Sequence, residues 1–146
     1  MADEWPSRPV RIVSTFAAGG TADILARVVA DHLSTALKQQ FFVEVRAGAG
    51  GQIGVRSVMD SPPDGYNFAI TNVSHLVLHQ FTRADVTYNP LTALTNIAFV
   101  GGSPVVLSTN SGKSGLKSLK QFIAKGKTDI LTYSSSGLGS MGHLVA

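Results

Sequence analysis

The sequence predicts an α/β fold built on an open, mostly parallel sheet with helices on both faces. Two observations support this prediction. Apolar, strand-like runs alternate with segments of helical periodicity along the chain. In two places, over residues 10–35 and 130–146, a strand runs into a glycine-rich loop that opens a helix. Such a loop directs backbone N–H groups and the positive end of a helix dipole at one point, so each is a candidate anion site.

The first of these units starts with a nearly continuous apolar run over residues 10–16, which is typical of a buried parallel strand. Gly20 or Thr21 is expected to cap the helix that follows. Apolar positions recur along this helix at helical spacing and predict a face that packs on the sheet: Ile24, Leu25, Val28, Val29, His32, Leu33 and Leu37. His32 is therefore expected to be buried or half-buried.

Two more strands are predicted over residues 41–45 and 66–71. Between them, the glycine-rich residues 48–54 lead into a short helix that the run Pro-Pro-Asp-Gly ends. We interpret this turn as structural because nothing else is expected to converge on it, although Arg46 is a candidate anion partner beside it. His75 and His79 lie one helical turn apart and are interpreted as surface or groove residues, not as metal ligands.

Beyond residue 90 the sequence predicts shorter elements: strands over 97–100, 105–108 and 130–133, a helix over 118–125, and a further helix from Met141. The Gly-Gly-Ser-Pro break at 101–104 suits a crossing between two lobes. So few elements follow it that a second lobe is expected to be incomplete. The predicted domains are a first lobe over residues 1–101 and the beginning of a truncated second lobe over 102–146.

Composition excludes several classes of protein. The 146 residues are 44% hydrophobic and 14% charged, which is enough to build a core. Cysteine is absent, so disulfides and thiolate metal sites are excluded. The net charge is +3, but the lysines between residues 113 and 127 resemble a solvated helix face without interleaved aromatics, so no nucleic-acid partner is expected. The first residues lack a signal-peptide pattern, and no apolar run is long enough to span a membrane.

Five collinear segments carry a family resemblance: residues 8–33, 43–58, 61–72, 88–101 and 131–144. In order and spacing they resemble the Bug family, the substrate-binding proteins of tripartite tricarboxylate transporters. The resemblance implies a type II periplasmic-binding-protein-like fold with two lobes, of the Venus flytrap kind. It also implies a periplasmic location and a sequence that holds only the N-terminal portion of such a protein.

The resemblance implies a function without catalysis, cofactor or metal. The protein would capture a small carboxylate, either a di- or tricarboxylate or an aromatic acid, between its lobes and pass it to membrane transporter subunits. The implied ligand-binding residues lie in three loops: Phe16, Ala17, Ala18, Gly19, Gly20 and Thr21; Asn72, Ser74 and His75; and Ser135, Ser136, Gly137, Gly139 and Ser140. The sequence departs from the family pattern at Ser14, Thr15 and His75.

One function of a different class is left open. Residues 137–142 match the dinucleotide pattern G-x-G-x-x-G after a predicted strand, which would suit a nucleotide-dependent α/β enzyme. No acidic residue for a ribose hydroxyl follows in the sequence.

The predicted strands of the second lobe would leave open edges, so residues 97–133 are expected to pair with a second copy of the chain in a homodimer.

Overall fold

The computed structural model describes residues 4–102, 104–135 and 137–145. Its sheet consists of three parallel strands in the order β2-β1-β3: β1 (Val10–Ser14), β2 (Phe41–Val45) and β3 (Asn67–Ile70). In the central strand, Ile12 lies opposite Val43 on one side and Phe68 on the other. The predicted open parallel α/β sheet is confirmed, with the first and third strands slightly shorter than expected.

Two helices cover opposite faces of this sheet: α1 (Thr21–Leu37) and α2 (Gln52–Met59). Alternation along β1 places Val10 and Ile12 on the α1 face, where they join the buried cluster. Val13 points to the other face, where Val55 of α2 is also fully buried. The apolar run of β1 is therefore nearly continuous because both of its faces are covered.

The face that α1 turns to the sheet differs from the predicted one. Ala26 and Ala30 are buried in the core, whereas Ile24, Val28 and His32 are exposed. Val29 and Leu33 pack against the core, as expected; the other members of the core cluster are Val10, Ile12 and Phe41. Small alanine side chains let the helix approach the strands closely, and larger apolar residues beside them turn outward. The expectation that His32 is buried is wrong.

After β3 the chain forms a π-helical turn (Ser74–Leu78) that continues into α3 (His79–Thr82), and α4 (Pro90–Ala93) follows. The Asn72 side chain accepts hydrogen bonds from the backbone N–H groups of Ser74 and His75, which starts the turn. Weak helical periodicity in this segment fits its helix, since π-helical geometry departs from 3.6 residues per turn.

Beyond α4 the described residues contain three short helices and no strand: α5 (Ser111–Ser114), α6 (Leu119–Gly126) and α7 (Met141–Leu144). The strands predicted over 97–100, 105–108 and 130–133 are therefore wrong. Most of their large apolar side chains are exposed, Phe99 to 87% and Ile130 to 97%, and only Leu131 is half-buried. An extended segment becomes a strand only when a neighbour pairs with its backbone, and no described segment does so here. No described helix is long and apolar enough to span a membrane.

Candidate functional site

A cavity of about 230 Å³ opens at the carboxyl ends of the three strands. The chain passes from the central strand β1 to β2 on one side and then crosses to β3 on the other, so the strand order reverses at β1. Ligands of open α/β sheets bind at such a switch point. Three strand-end loops and one later loop line the cavity: Thr15, Phe16 and Ala17; Ala47, Gly48, Gly50 and Gly51; Asn72, Ser74, His75 and His79; and Gly137, Leu138 and Ser140.

The cavity collects some of the predicted ligand-binding residues but not all. Those that line it are Phe16, Ala17, Asn72, Ser74, His75, Gly137 and Ser140. Those in the same loops that do not line it are Ala18, Gly19, Gly20, Thr21, Ser135 and Gly139. Ser136 lies outside the described residues. Contact of any of these residues with a ligand remains a prediction.

The loop before α1 is already engaged by a carboxylate of the chain itself. Asp23 is buried in the first turn of the helix and accepts a hydrogen bond of 2.9 Å from the Gly19 N–H. Arg27 lies 3.1 Å from the other carboxylate oxygen. The Gly19 N–H and then Arg27 lower the pKa of Asp23, which favours the charged form. One backbone donor of the predicted anion cradle is therefore occupied, and the cavity-facing part of this loop is Phe16 and Ala17.

His75 lines the cavity and contacts residues of two other loops that line it. Its ring stacks on Phe16 with the centroids 4.8 Å apart, and it packs so closely over Gly51 that a Cβ there would collide with it. The hydroxyl oxygen of Thr71 lies 2.6 Å from His75 Nδ1, and that of Thr15 lies 3.2 Å from the same atom. Thr15 and His75, both expected to depart from the pattern of the family that the sequence resembles, therefore contact each other.

Burial of the His75 ring lowers its pKa from 6.5 to about 4. The neighbouring His79 acts in the same direction, and a hydrogen bond with the Gly50 backbone opposes both effects. The ring is therefore neutral near pH 7. A short hydrogen bond from the Thr71 hydroxyl to Nδ1 suits this neutral form, with the ring proton on Nε2.

His79 is only 1% exposed, so it is not a surface residue, but like His75 it lines the cavity, which agrees with the interpretation of these histidines as groove residues. Its ring lies 5.1 Å from that of His75. Its Nδ1 atom is 2.8 Å from the Gln52 amide nitrogen, and the Gln52 amide oxygen accepts a hydrogen bond of 2.8 Å from the Tyr88 hydroxyl. Burial lowers the pKa of His79; Arg83 adds to this effect and Asp85 opposes it. Among the described residues, no group of three or more His, Asp or Glu side chains gathers as a metal site.

The glycine turn before α2 is the part of the site that the sequence analysis missed. Gly48, Gly50 and Gly51 all have positive φ angles and line the cavity, so the expectation that nothing converges on this turn is wrong. A Cβ on Gly50 would lie 3.0 Å from the His79 ring. Glycine is required because the two imidazoles lie against the backbone. Arg46 does not line the cavity and instead pairs with Glu44 at 2.6 Å.

The second glycine loop meets the first part of the chain through one long-range hydrogen bond, from the Met141 N–H to Ser74 Oγ at 3.1 Å. Ser140 caps α7 by accepting the His143 N–H, and His143 Nδ1 accepts the Gly139 N–H at 3.1 Å. In the part of the chain that the structure describes, no strand precedes this loop as a dinucleotide site requires, and α7 is four residues long.

Comparison with known proteins shows which family the sequence resembles. A family model described as the tripartite tricarboxylate transporter family receptor matches residues 25–146. Protein BugT of Bordetella pertussis is 36% identical over 147 residues, which cover 99% of this chain and 45% of BugT. The chain spans less than half the length of the curated relatives it matches, 43% to 45% for two of them.

Solved structures agree with this match. An R. palustris protein with adipate is 36% identical, with a TM-score of 0.57 over 60% of this chain and 29% of that one. MatC from Rhodopseudomonas palustris with bound malate is 28% identical, with a TM-score of 0.56 over 59% of this chain and 29% of MatC. The family is one of receptors, which agrees with the prediction of a protein that is not an enzyme. The chain belongs to the tripartite tricarboxylate transporter receptor family.

Proposed function

We propose that this protein binds a small carboxylate in the cavity at the carboxyl ends of its strands and serves as the receptor of a tripartite tricarboxylate transporter. The observation that carries the proposal is the convergence of four loops on one cavity at the switch point of the sheet. Two similar proteins, solved with adipate and malate, support a carboxylate. The cavity volume, about 230 Å³, is below the roughly 300–1,000 Å³ of sites for drug-sized ligands and suits a small metabolite.

The lining of the cavity decides how such a ligand is held. No Arg, Lys, Asp or Glu side chain is among the described lining residues, so a carboxylate would be bound by neutral donors. The Ser74 oxygen accepts the Met141 N–H, which leaves the hydroxyl hydrogen of Ser74 to donate. The glycines bring the backbone close to the cavity. Phe16 and the imidazole stacked on it offer an apolar wall for the carbon skeleton of the ligand.

The same proposal gives the chain its place in a larger architecture. We infer that residues 1–101 belong to the first lobe and 102–146 to the beginning of the second. Ligand would then be enclosed between the lobes, because the loop at Gly137–Ser140 belongs to the second segment and reaches the cavity of the first. The family match supports transporter subunits as partners and the periplasm as location.

A thermal-shift screen tests the proposal, because a ligand that binds only the folded state stabilises it by mass action. Malate, adipate, citrate and benzoate are compared with NAD and ATP at equal concentrations. We expect at least one carboxylate to raise the unfolding temperature and neither nucleotide to do so. Stabilisation by NAD or ATP alone would favour the nucleotide-dependent enzyme and overturn the receptor proposal.

The later part of the chain suggests a partner. Ile97, Phe99, Val106 and Ile130 all expose more than two thirds of their surface, within a segment that was predicted to pair with a second copy. We propose that this segment, residues 97–133, self-associates as a homodimer, because exposed apolar side chains favour association.

A further inference from the structure

The second histidine of the site, His79, ends a chain of three buried or half-buried polar side chains. The Tyr88 hydroxyl donates to the Gln52 amide oxygen, so the Gln52 amide nitrogen, which carries only donor hydrogens, faces His79 Nδ1. An Nδ1 atom that accepts this hydrogen bond carries no proton. The proton of the neutral ring is therefore on Nε2.

The position of the ring shows where this Nε2–H points. The Cε1 atom of His79 lies against Gly50, whose added Cβ would be 3.0 Å away, and the Cδ2 atom lies against Gly139, at 3.5 Å from its added Cβ. Nε2 stands between these two atoms in the ring. It is therefore directed between the glycine turn before α2 and the second glycine loop, which are two of the segments that line the cavity.

We propose that His79 is a ligand-binding residue whose Nε2–H donates a hydrogen bond to a carboxylate oxygen, and that Tyr88 and Gln52 are positioning residues that hold its tautomer. This inference rests on the proposed function. The buried ring of His79 would thus supply a hydrogen-bond donor to a cavity whose described lining has no charged side chain. Burial and Arg83 keep the ring neutral, with Asp85 opposing, so the donor is present at pH 7.

Titration calorimetry of the chain with malate and with adipate measures how much the His79 side chain contributes to ligand affinity. We expect His79→Leu to weaken binding by about 10- to 100-fold, because it removes a hydrogen bond to a charged group. His79→Gln, which keeps an N–H donor, should recover part of the loss. Tyr88→Phe should weaken binding by about three- to tenfold, since it removes only the outer link of the chain. Tyr133→Phe is the matched control, because Tyr133 is exposed and does not line the cavity.

Nitrogen-15 NMR of the histidine rings gives a readout that does not depend on binding. We expect the Nε2–H tautomer for His79 in the unmodified chain, and loss of this preference in Tyr88→Phe with unchanged folded spectra elsewhere. The Nδ1–H tautomer in the unmodified chain would overturn the inference. Unchanged affinity in His79→Leu, with clear binding by the unmodified chain, would overturn it while leaving the proposed function intact. Failure of the unmodified chain to bind malate, adipate, citrate or benzoate would contradict the carboxylate proposal, and with it this inference.

Discussion

Acidification is expected to destabilise this protein through His75. The folded pKa is lowered from 6.5 to about 4, so the unfolded chain binds more protons than the folded chain between these values. Stability contributed by the neutral ring is therefore fully present above about pH 6.5 and is lost as pH falls toward 4. Each tenfold difference in proton affinity corresponds to about 1.4 kcal/mol, so the loss approaches about 3 kcal/mol, a large part of the stability of a small domain.

Urea unfolding between about pH 7.5 and pH 4 measures this effect, with Trp5, the one tryptophan of the chain, as the fluorescent reporter. His75→Asn removes the titrating ring while its amide oxygen can still accept from Thr71. We expect its stability to change less with pH than that of the unmodified protein, and the dependence that remains to include His79, whose pKa burial also lowers. His32→Asn is the control because His32 is exposed. Parallel stability curves for the unmodified protein and His75→Asn would show that the ring is accessible to water and would refute this reasoning.

Three further predictions concern packing, the helix start and association. Gly51→Ala should cost roughly 1–3 kcal/mol, because it places a side chain at positive φ against an imidazole; Gly112→Ala, where an added Cβ would meet only the Asn110 side-chain oxygen at 3.4 Å, should stay within about 0.5 kcal/mol in the same urea assay. Asp23→Asn should lower the unfolding temperature more than Asp31→Asn, an exposed site on the same helix, because Asp23 holds the Gly19 N–H; equal shifts would contradict this role. Sedimentation at micromolar concentration should show a dimer that Ile130→Lys weakens, and a monomer at all concentrations would contradict the proposed interface.

The sequence by itself determined the local elements near the start of the chain. Mostly apolar runs over residues 10–16 and 41–45 located β1 and β2, because the signals that mark a strand and its ends are local. The glycine-rich loop marked the beginning of α1, and Gly20 does precede its first residue. The family resemblance, which rests on collinear segments, also needed no structure.

Tertiary structure decided which residues meet. The sheet order β2-β1-β3 brings residues 15, 48, 75 and 137 to one cavity, although they are far apart in sequence. No local pattern shows that Gly51 lies beneath the His75 ring, or that Gln52 connects Tyr88 to His79.

The segments after residue 97 show that local composition alone does not determine a strand. Residues 97–100 and 130–133 have the apolar composition of strands, yet a strand needs a neighbour that donates and accepts its backbone hydrogen bonds. Composition is a property of the segment, whereas pairing is a property of the whole fold. For the same reason the periodicity of α1 predicted a helix correctly, and only its packing on the sheet determined that Ala26 and Ala30 face inward while His32 faces outward.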